Sequence, residues 1–232
     1  MSDFETVAYR DGDTALTGLL ARPEGSPKAV IVVYPTIMNS TPAVEAKAKS
    51  LADAGYLAMI ADFYGSNPED MAASQALAAP LRADAKAMRD RMRPALHALA
   101  DVAGAIPMAA IGFCMGGQAA LEMAREGADL VLAASFHGLL ETHAPADVGA
   151  IKARILVCHG DADPLVPREQ VLQFWEEMDR AGANWHFHSY SGVKHGFTNP
   201  QAPSGMPAIG YDASADHQSW AALMSMLDEV LG

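Results

Sequence analysis

The run GFCMGG at residues 112–117 places Cys114 between glycines that stand two positions to either side. An apolar stretch at residues 106–111 precedes it, and helical periodicity follows at residues 115–126. This is the pattern of a nucleophile on a sharp turn from strand to helix, where glycines avoid collisions with nearby backbone. The amides and dipole of the helix favour the thiolate, and the N–H of Met115 can stabilise an oxyanion. The sequence therefore predicts that Cys114 is a nucleophile and not a small buried core residue.

A thiol nucleophile needs a base and an acidic side chain that orients the base. His195 lies in a glycine-flanked loop after the last predicted strand, which makes it the predicted base. Asp161 and Asp163 follow the predicted strand at residues 154–159, at the edge where open α/β sheets place their sites. Asp163 is favoured because the Val-Pro turn into the next helix follows three residues later, whereas Asp161 is interpreted as a turn former. The chain order is then nucleophile, acid, histidine, with Cys114 first.

The remaining histidines and the second cysteine have weaker claims. Cys158 lies within an apolar strand, so core packing is the better interpretation. His137 ends the predicted strand at residues 130–136 and is expected to line the pocket. His186 and His188 alternate on one strand, but no acidic or thiol partner has metal-ligand spacing to them. No metal is therefore predicted, and without a phosphate or dinucleotide loop no cofactor is expected.

The elements that must position these residues alternate along the chain. Strands are predicted at residues 4–9, 16–21, 29–34, 56–61, 106–113, 130–136, 154–159 and 185–190. Helices are predicted at residues 41–54, in a long tract at 68–100, and at 115–126, 167–181 and 214–231. This order predicts an α/β fold, a doubly wound, mostly parallel sheet with an N-terminal antiparallel hairpin and helices on both faces. The length and the lack of linkers predict a single domain over residues 1–232.

The composition limits the partners. A formal charge of -12 and a pI near 4.9 argue against nucleic acid binding, which requires clustered Lys and Arg. No apolar run approaches the roughly 20 residues that cross a bilayer, and the first five residues lack the pattern of a secretory signal. Two cysteines are too few for a disulfide scaffold. We therefore expect a cytoplasmic monomer or small homo-oligomer that acts on a small molecule, without membrane or nucleic acid partners.

Six blocks of the sequence resemble the dienelactone hydrolase (carboxymethylenebutenolidase) family of the α/β hydrolase superfamily. They are DFYG at 62–65, GFCMGG at 112–117, SFHG at 135–138, DPLVP at 163–167, HGF at 195–197 and YDASA at 211–215. The resemblance implies a Cys–His–Asp triad carried by Cys114, His195 and Asp163. It also implies a second oxyanion donor, the N–H of Ile37. The expected reaction is hydrolysis of an ester or lactone.

The resemblance also implies residues that contact the substrate, and here the sequence departs from the best-known members. The implied contacts are Thr36, Tyr64, His137 and Asn199. In the chlorocatechol-pathway enzymes a glutamate stands at the position of Thr36, and an arginine that binds the substrate carboxylate stands at that of Asn199. Arg82 is a candidate for a second arginine of those enzymes. Without the arginine at position 199, we expect weak discrimination between substrates with and without a carboxylate.

Three other functions fit parts of the pattern. A thioesterase or another acyl hydrolase would use the same triad. A glutaminase-like site also places a cysteine on such a turn, but it has an acid two residues after the histidine, where Phe197 stands here. A binding or sensor protein would retain the three residues without turnover.

The two candidate acids are separated by their amide variants. The acid of a triad orients the histidine and stabilises the imidazolium, so Asp163→Asn is expected to lose orders of magnitude in activity with little change in fold. Asp161→Asn is expected to keep its activity and to lose about 1 kcal/mol of stability through a side-chain hydrogen bond. Thermal melts and steady-state rates of both variants measure this. An inactive Asp161→Asn variant would reverse the assignment.

Overall fold

The computed structural model describes residues 4–202 and 205–232, and its centre is one sheet of eight strands. The strands are β1 (Glu5–Asp11), β2 (Thr14–Ala21), β3 (Val30–Tyr34), β4 (Leu57–Ile60), β5 (Met108–Phe113), β6 (Leu132–Phe136), β7 (Arg154–Gly160) and β8 (Trp185–Tyr190). Their order across the sheet is β1-β2-β4-β3-β5-β6-β7-β8. β1 and β2 form the antiparallel hairpin, β2 pairs antiparallel to β4, and all later pairs are parallel. The predicted α/β fold is confirmed.

Six helices cover the two faces of this sheet. They are α1 (Pro42–Asp53), α2 (Met71–Ala83), α3 (Ala85–Ala103), α4 (Met115–Arg125), α5 (Arg168–Ala181) and α6 (Ala213–Leu231). Buried residues of α1 and α6 form one apolar core with one face of the sheet, and those of α2 to α5 form a second core with the other face. No helix in the described part of the chain is long and apolar enough to span a membrane.

The helical tract predicted at residues 68–100 is not continuous. Asp84 has an extended backbone (φ -139°, ψ 113°) and ends α2, and its carboxylate accepts a hydrogen bond from the Lys86 N–H at the start of α3. An aspartate satisfies the free amides at a helix N-terminus well, so one residue can end one helix and begin the next. The tract therefore forms two separate helices that contact each other.

A buried ionic cluster joins the helices on the second face. Arg125 of α4 is almost fully buried, and its guanidinium donates to Glu122 Oε1 at 2.9 Å and to Glu177 Oε2 of α5 at 2.7 Å. It also donates to the Leu140 carbonyl at 2.7 Å. Arg89 of α3 donates to the other oxygen of Glu122. The cluster thus fixes α3, α4 and α5 and the chain that follows β6.

Removing the central cation of this cluster should be costly. Arg125→Met is expected to lower the free energy of unfolding by about 3–5 kcal/mol, because it leaves the buried Glu177 without its cation. Arg22→Met breaks the exposed pair with Glu5 and should cost less than about 1 kcal/mol. Urea unfolding of both variants measures the difference. Equal losses would show that the buried cluster contributes no more than a surface pair.

Candidate active site

The turn between β5 and α4 leaves no room for a side chain at the positions two residues before and two residues after Cys114. A Cβ on Gly112 would lie 1.9 Å from the Gly116 carbonyl oxygen, and a Cβ on Gly116 would lie 2.1 Å from that of Tyr34. Cys114 itself has φ 56° and ψ -119°, a conformation that costs a non-glycine residue about 1–3 kcal/mol. Strain of this kind persists only where the surrounding structure enforces it. The close packing of Gly112 and Gly116 therefore fixes the conformation of the turn.

His195 and Asp163 form a buried pair at the same edge of the sheet. Nδ1 of His195 lies 2.7 Å from Oδ2 of Asp163, and both side chains are nearly inaccessible. The other carboxylate oxygen accepts the Leu165 N–H at 2.9 Å. The His195 backbone is held by the segment at residues 208–210, donating to the Ala208 carbonyl and accepting from the Gly210 N–H. Asp163 can therefore hold the ring with Nδ1 protonated and Nε2 directed away from the carboxylate.

Asp161, the alternative acid, lies elsewhere. Its carboxylate forms a two-point ion pair with the Arg168 guanidinium at 2.6 and 2.9 Å. This exposed pair lowers the pKa of Asp161, chiefly through the hydrogen bonds from Arg168. The structure therefore places Asp163, and not Asp161, against His195.

The thiol of Cys114 and the ring of His195 favour a thiolate–imidazolium pair. Burial of the thiol raises its pKa, but His195 and the N–H groups of Met115 and Ile37 more than offset this and lower it. Burial also lowers the pKa of His195, and the hydrogen bonds with Asp163 and Cys114 outweigh it and raise that pKa. Nε2 of His195 is buried without a hydrogen-bond partner that meets the geometric criteria among the described residues, and the nearby Cys114 thiol raises the pKa of the ring.

The loop that carries Ile37 is braced by a buried asparagine. Asn39 has φ 63°, and its N–H donates to the Thr36 carbonyl to close the turn. Its side chain donates to Asp62 Oδ1 at 2.9 Å and accepts from the Phe63 N–H at 3.1 Å. This bracing fixes the turn that carries the Ile37 N–H, which lowers the pKa of the Cys114 thiol.

His137 lies beside Cys114 and His195, and its ring is held neutral. Its Nδ1 accepts the Cys114 N–H at 3.2 Å, so a neutral ring carries its proton on Nε2, which donates to Thr198 Oγ1 at 2.8 Å. Burial, followed by the nearby charges of His195 and Lys47, lowers its pKa well below the ordinary value. The residue thus fixes the Cys114 backbone while staying uncharged.

A cavity of about 310 Å³ opens onto the thiol. Of the residues proposed from the sequence, it is lined by Thr36, Ile37, Cys114, His137, His195 and Asn199. Tyr64 is not among the lining residues; its hydroxyl donates to the Ile37 carbonyl at 3.0 Å and so supports the loop from outside the cavity. Arg82 does not line it either, being exposed on α2.

The other candidates lie apart from this cavity. Cys158 is fully buried, and burial raises its pKa to about 12. His186 is exposed, and its Nε2 accepts a hydrogen bond from the Arg154 guanidinium at 3.2 Å. His159 is buried, and neither ring nitrogen has a partner in the described structure. Within residues 4–202 and 205–232, no group of three potential metal-ligating side chains comes together.

Sequence reasoning missed several residues that shape the site. Lys47 of α1 lines the cavity, as do Met71 and Met206, and Thr198 anchors His137. None belongs to a motif, and each reaches the site through packing between elements far apart in the chain. The one signal available in the sequence concerned α1. This helix starts soon after the Ile37 loop, so its first turns, which include Lys47, must lie near the strand ends.

The fold and this strand-to-helix turn define an α/β hydrolase. Residues 16–231 match the model of the dienelactone hydrolase family, and the chain belongs to that family. It is therefore a hydrolase of the dienelactone hydrolase type.

Relatives of this family match between 80% and 99% of the chain. A solved dienelactone hydrolase-like promiscuous phosphotriesterase from metagenomic libraries is 35% identical, with a TM-score of 0.92 over 99% of this chain and 98% of its own. A Bradyrhizobium protein named "Probable 2-oxo-3-(5-oxofuran-2-ylidene)propanoate lactonase" is 29% identical over 83% of this chain and 85% of its own. The mouse carboxymethylenebutenolidase homolog is 26% identical, covering 80% and 77%.

The ionisation of Cys114 can be measured through its alkylation. We expect iodoacetamide to modify Cys114 with a midpoint below the ordinary thiol value of about 8.5, while Cys158 stays unmodified. His195→Gln removes the cation, so the thiol pKa rises and the profile moves to higher pH. His186→Gln, on the exposed side of β8, should leave the profile unchanged. Mass spectrometry measures the extent of alkylation against pH for wild type and both variants. Coincident profiles for wild type and His195→Gln would contradict the ion pair.

Proposed function

We propose that the protein hydrolyses an ester or lactone bond through a triad of Cys114, His195 and Asp163. One observation carries this most directly: the thiol lies among three groups that favour its anion, the His195 ring and the N–H groups of Ile37 and Met115. A buried structural cysteine has no need for such groups, as the environment of Cys158 illustrates. The cavity in front of the thiol gives room for a small molecule.

In the first step the Cys114 thiolate attacks the carbonyl carbon and forms a tetrahedral oxyanion. The N–H groups of Ile37 and Met115 stabilise this oxyanion, a contribution for which one donor is typically worth about 3–4 kcal/mol. The carbon–oxygen bond to the alcohol then breaks, and His195 Nε2 gives its proton to the departing alkoxide. An alcohol leaves and a thioester on Cys114 remains, or a ring-opened thioester in the case of a lactone.

In the second step water hydrolyses the thioester. The neutral His195 now accepts a proton from water at Nε2 while the hydroxide attacks the carbonyl carbon. Collapse of the second oxyanion expels the thiolate and releases the carboxylic acid. Asp163 stabilises the imidazolium of the resting pair, which forms again in the second step, and holds the ring in the tautomer that this exchange requires.

The proposal is tested by comparing hydrolysis by wild type and two cysteine variants. Cys114→Ala should reduce the turnover of aryl esters and lactones by at least about a thousandfold, since it removes the nucleophile. Cys158→Ser is the matched control: it removes the other thiol, lies in the core of β7, and should retain most of the activity in the fraction that folds. Release of 4-nitrophenolate and acid titration follow the two substrate types.

Two results would contradict the proposal. Turnover by Cys114→Ala at the wild-type rate would exclude the thiol as nucleophile. Iodoacetamide labelling of Cys114 without any hydrolysis of esters or lactones would indicate a binding or sensor protein. A panel that includes thioesters separates a thioesterase, which would prefer them, from the ester hydrolase proposed here.

A further inference from the structure

The cavity in front of Cys114 is apolar on most of its wall. Away from the reacting groups, the wall includes Val44 of α1, three methionines and Ile209. Methionine side chains are flexible and polarisable, so a wall of this kind adapts to apolar groups of different shape. The volume of about 310 Å³ lies at the lower end for small-molecule pockets, which suits one short acyl or aryl group.

Lys47 is the only Lys, Arg, Asp or Glu that lines this cavity in the described part of the chain, and its charge is already paired. Its Nζ lies 2.6 Å from Asp216 Oδ1 of α6, and both side chains are more than four-fifths buried. The ammonium also lies 4.6 Å from the centre of the Trp220 ring. A carboxylate entering the cavity would have to compete with Asp216 for this ammonium.

We infer that the substrate is an ester whose group in this cavity is apolar and uncharged, and that the Lys47–Asp216 pair sets this preference. The inference rests on the proposed function and names its substrate class. Burying a carboxylate without a partner is far more costly than burying a methyl group. The preference goes beyond the weak discrimination expected from Asn199 alone.

Matched substrates test the preference directly. We compare 4-nitrophenyl hexanoate with the 4-nitrophenyl half-ester of adipic acid, which replaces the terminal methyl by a carboxylate. Wild type should favour the hexanoate by at least about tenfold in kcat/KM. From acetate to butyrate to hexanoate, kcat/KM should rise by about three- to fourfold for each methylene that the wall covers. Equal rates, or a preference for the half-ester, would overturn the inference.

The role of the ion pair is tested by releasing Lys47. Asp216→Asn removes the competing carboxylate, so the half-ester should gain and the hexanoate preference should fall by about tenfold. Adding Lys47→Met to Asp216→Asn should restore the preference, since no free cation remains. Asp90→Asn breaks the exposed Lys86–Asp90 pair and serves as control, with no change expected. An unaltered preference in folded Asp216→Asn would show that Lys47 does not set it.

A binding measurement separates failure of this inference from failure of the proposed function. Hexanamide and adipamic acid are unreactive counterparts of the two substrates, and each can shield Cys114 from iodoacetamide. Hexanamide should protect at about one tenth of the concentration that adipamic acid requires. This result without any ester hydrolysis would reject the function and keep the pocket assignment. Equal protection, or better protection by adipamic acid, would reject the pocket assignment whether or not esters are hydrolysed.

Discussion

Helix α4 can begin where it does because its first turn lies directly against the backbone of β3 and β5. Gly112 and Gly116 make this contact, and any side chain at either position would collide with a carbonyl oxygen about 2 Å away. The close approach forces Cys114 into its left-handed conformation, which directs the thiol out of the sheet edge. The N–H of Met115, the dipole of α4 and the position of Cys114 beside His195 all depend on this single contact between backbones.

A second set of contacts fixes the loop that carries Ile37. Asp62, between β4 and α2, accepts from the N–H groups of Thr17, Tyr64 and Gly65 and from the Asn39 side chain. Buried carboxylates with several donors are well satisfied, so this loop has little freedom. It fixes Asn39 and through it the turn that carries Ile37. The Met115 amide is therefore positioned by packing of backbone on backbone, and the Ile37 amide by buried side-chain hydrogen bonds.

Local patterns were enough to predict the fold and the meeting of three side chains at one edge of the sheet. Thr41 and Pro42 begin α1 as a cap and a first-turn proline, and the strand ends place Cys114, Asp163 and His195 at one edge. The break at Asp84 was not predicted, because aspartate within a helical pattern is compatible with a continuous helix and only the structure shows its extended backbone. The residues of the cavity wall were not predicted for a related reason. Lys47 and Met206 are more than 150 residues apart, and no spacing rule connects them.

The cavity wall comes from other parts of the chain than the proposed triad. Cys114, Asp163 and His195 follow β5, β7 and β8, whose ends are locked by the sheet. The apolar wall comes from α1, from Met71 at the first residue of α2, and from the segment near Met206 and Ile209. Exchanges in that wall can redirect the enzyme to new molecules while the rigid frame around the sulfur stays intact. Such a division favours evolvability. Mutant libraries confined to these wall positions are therefore an efficient way to vary the substrate range.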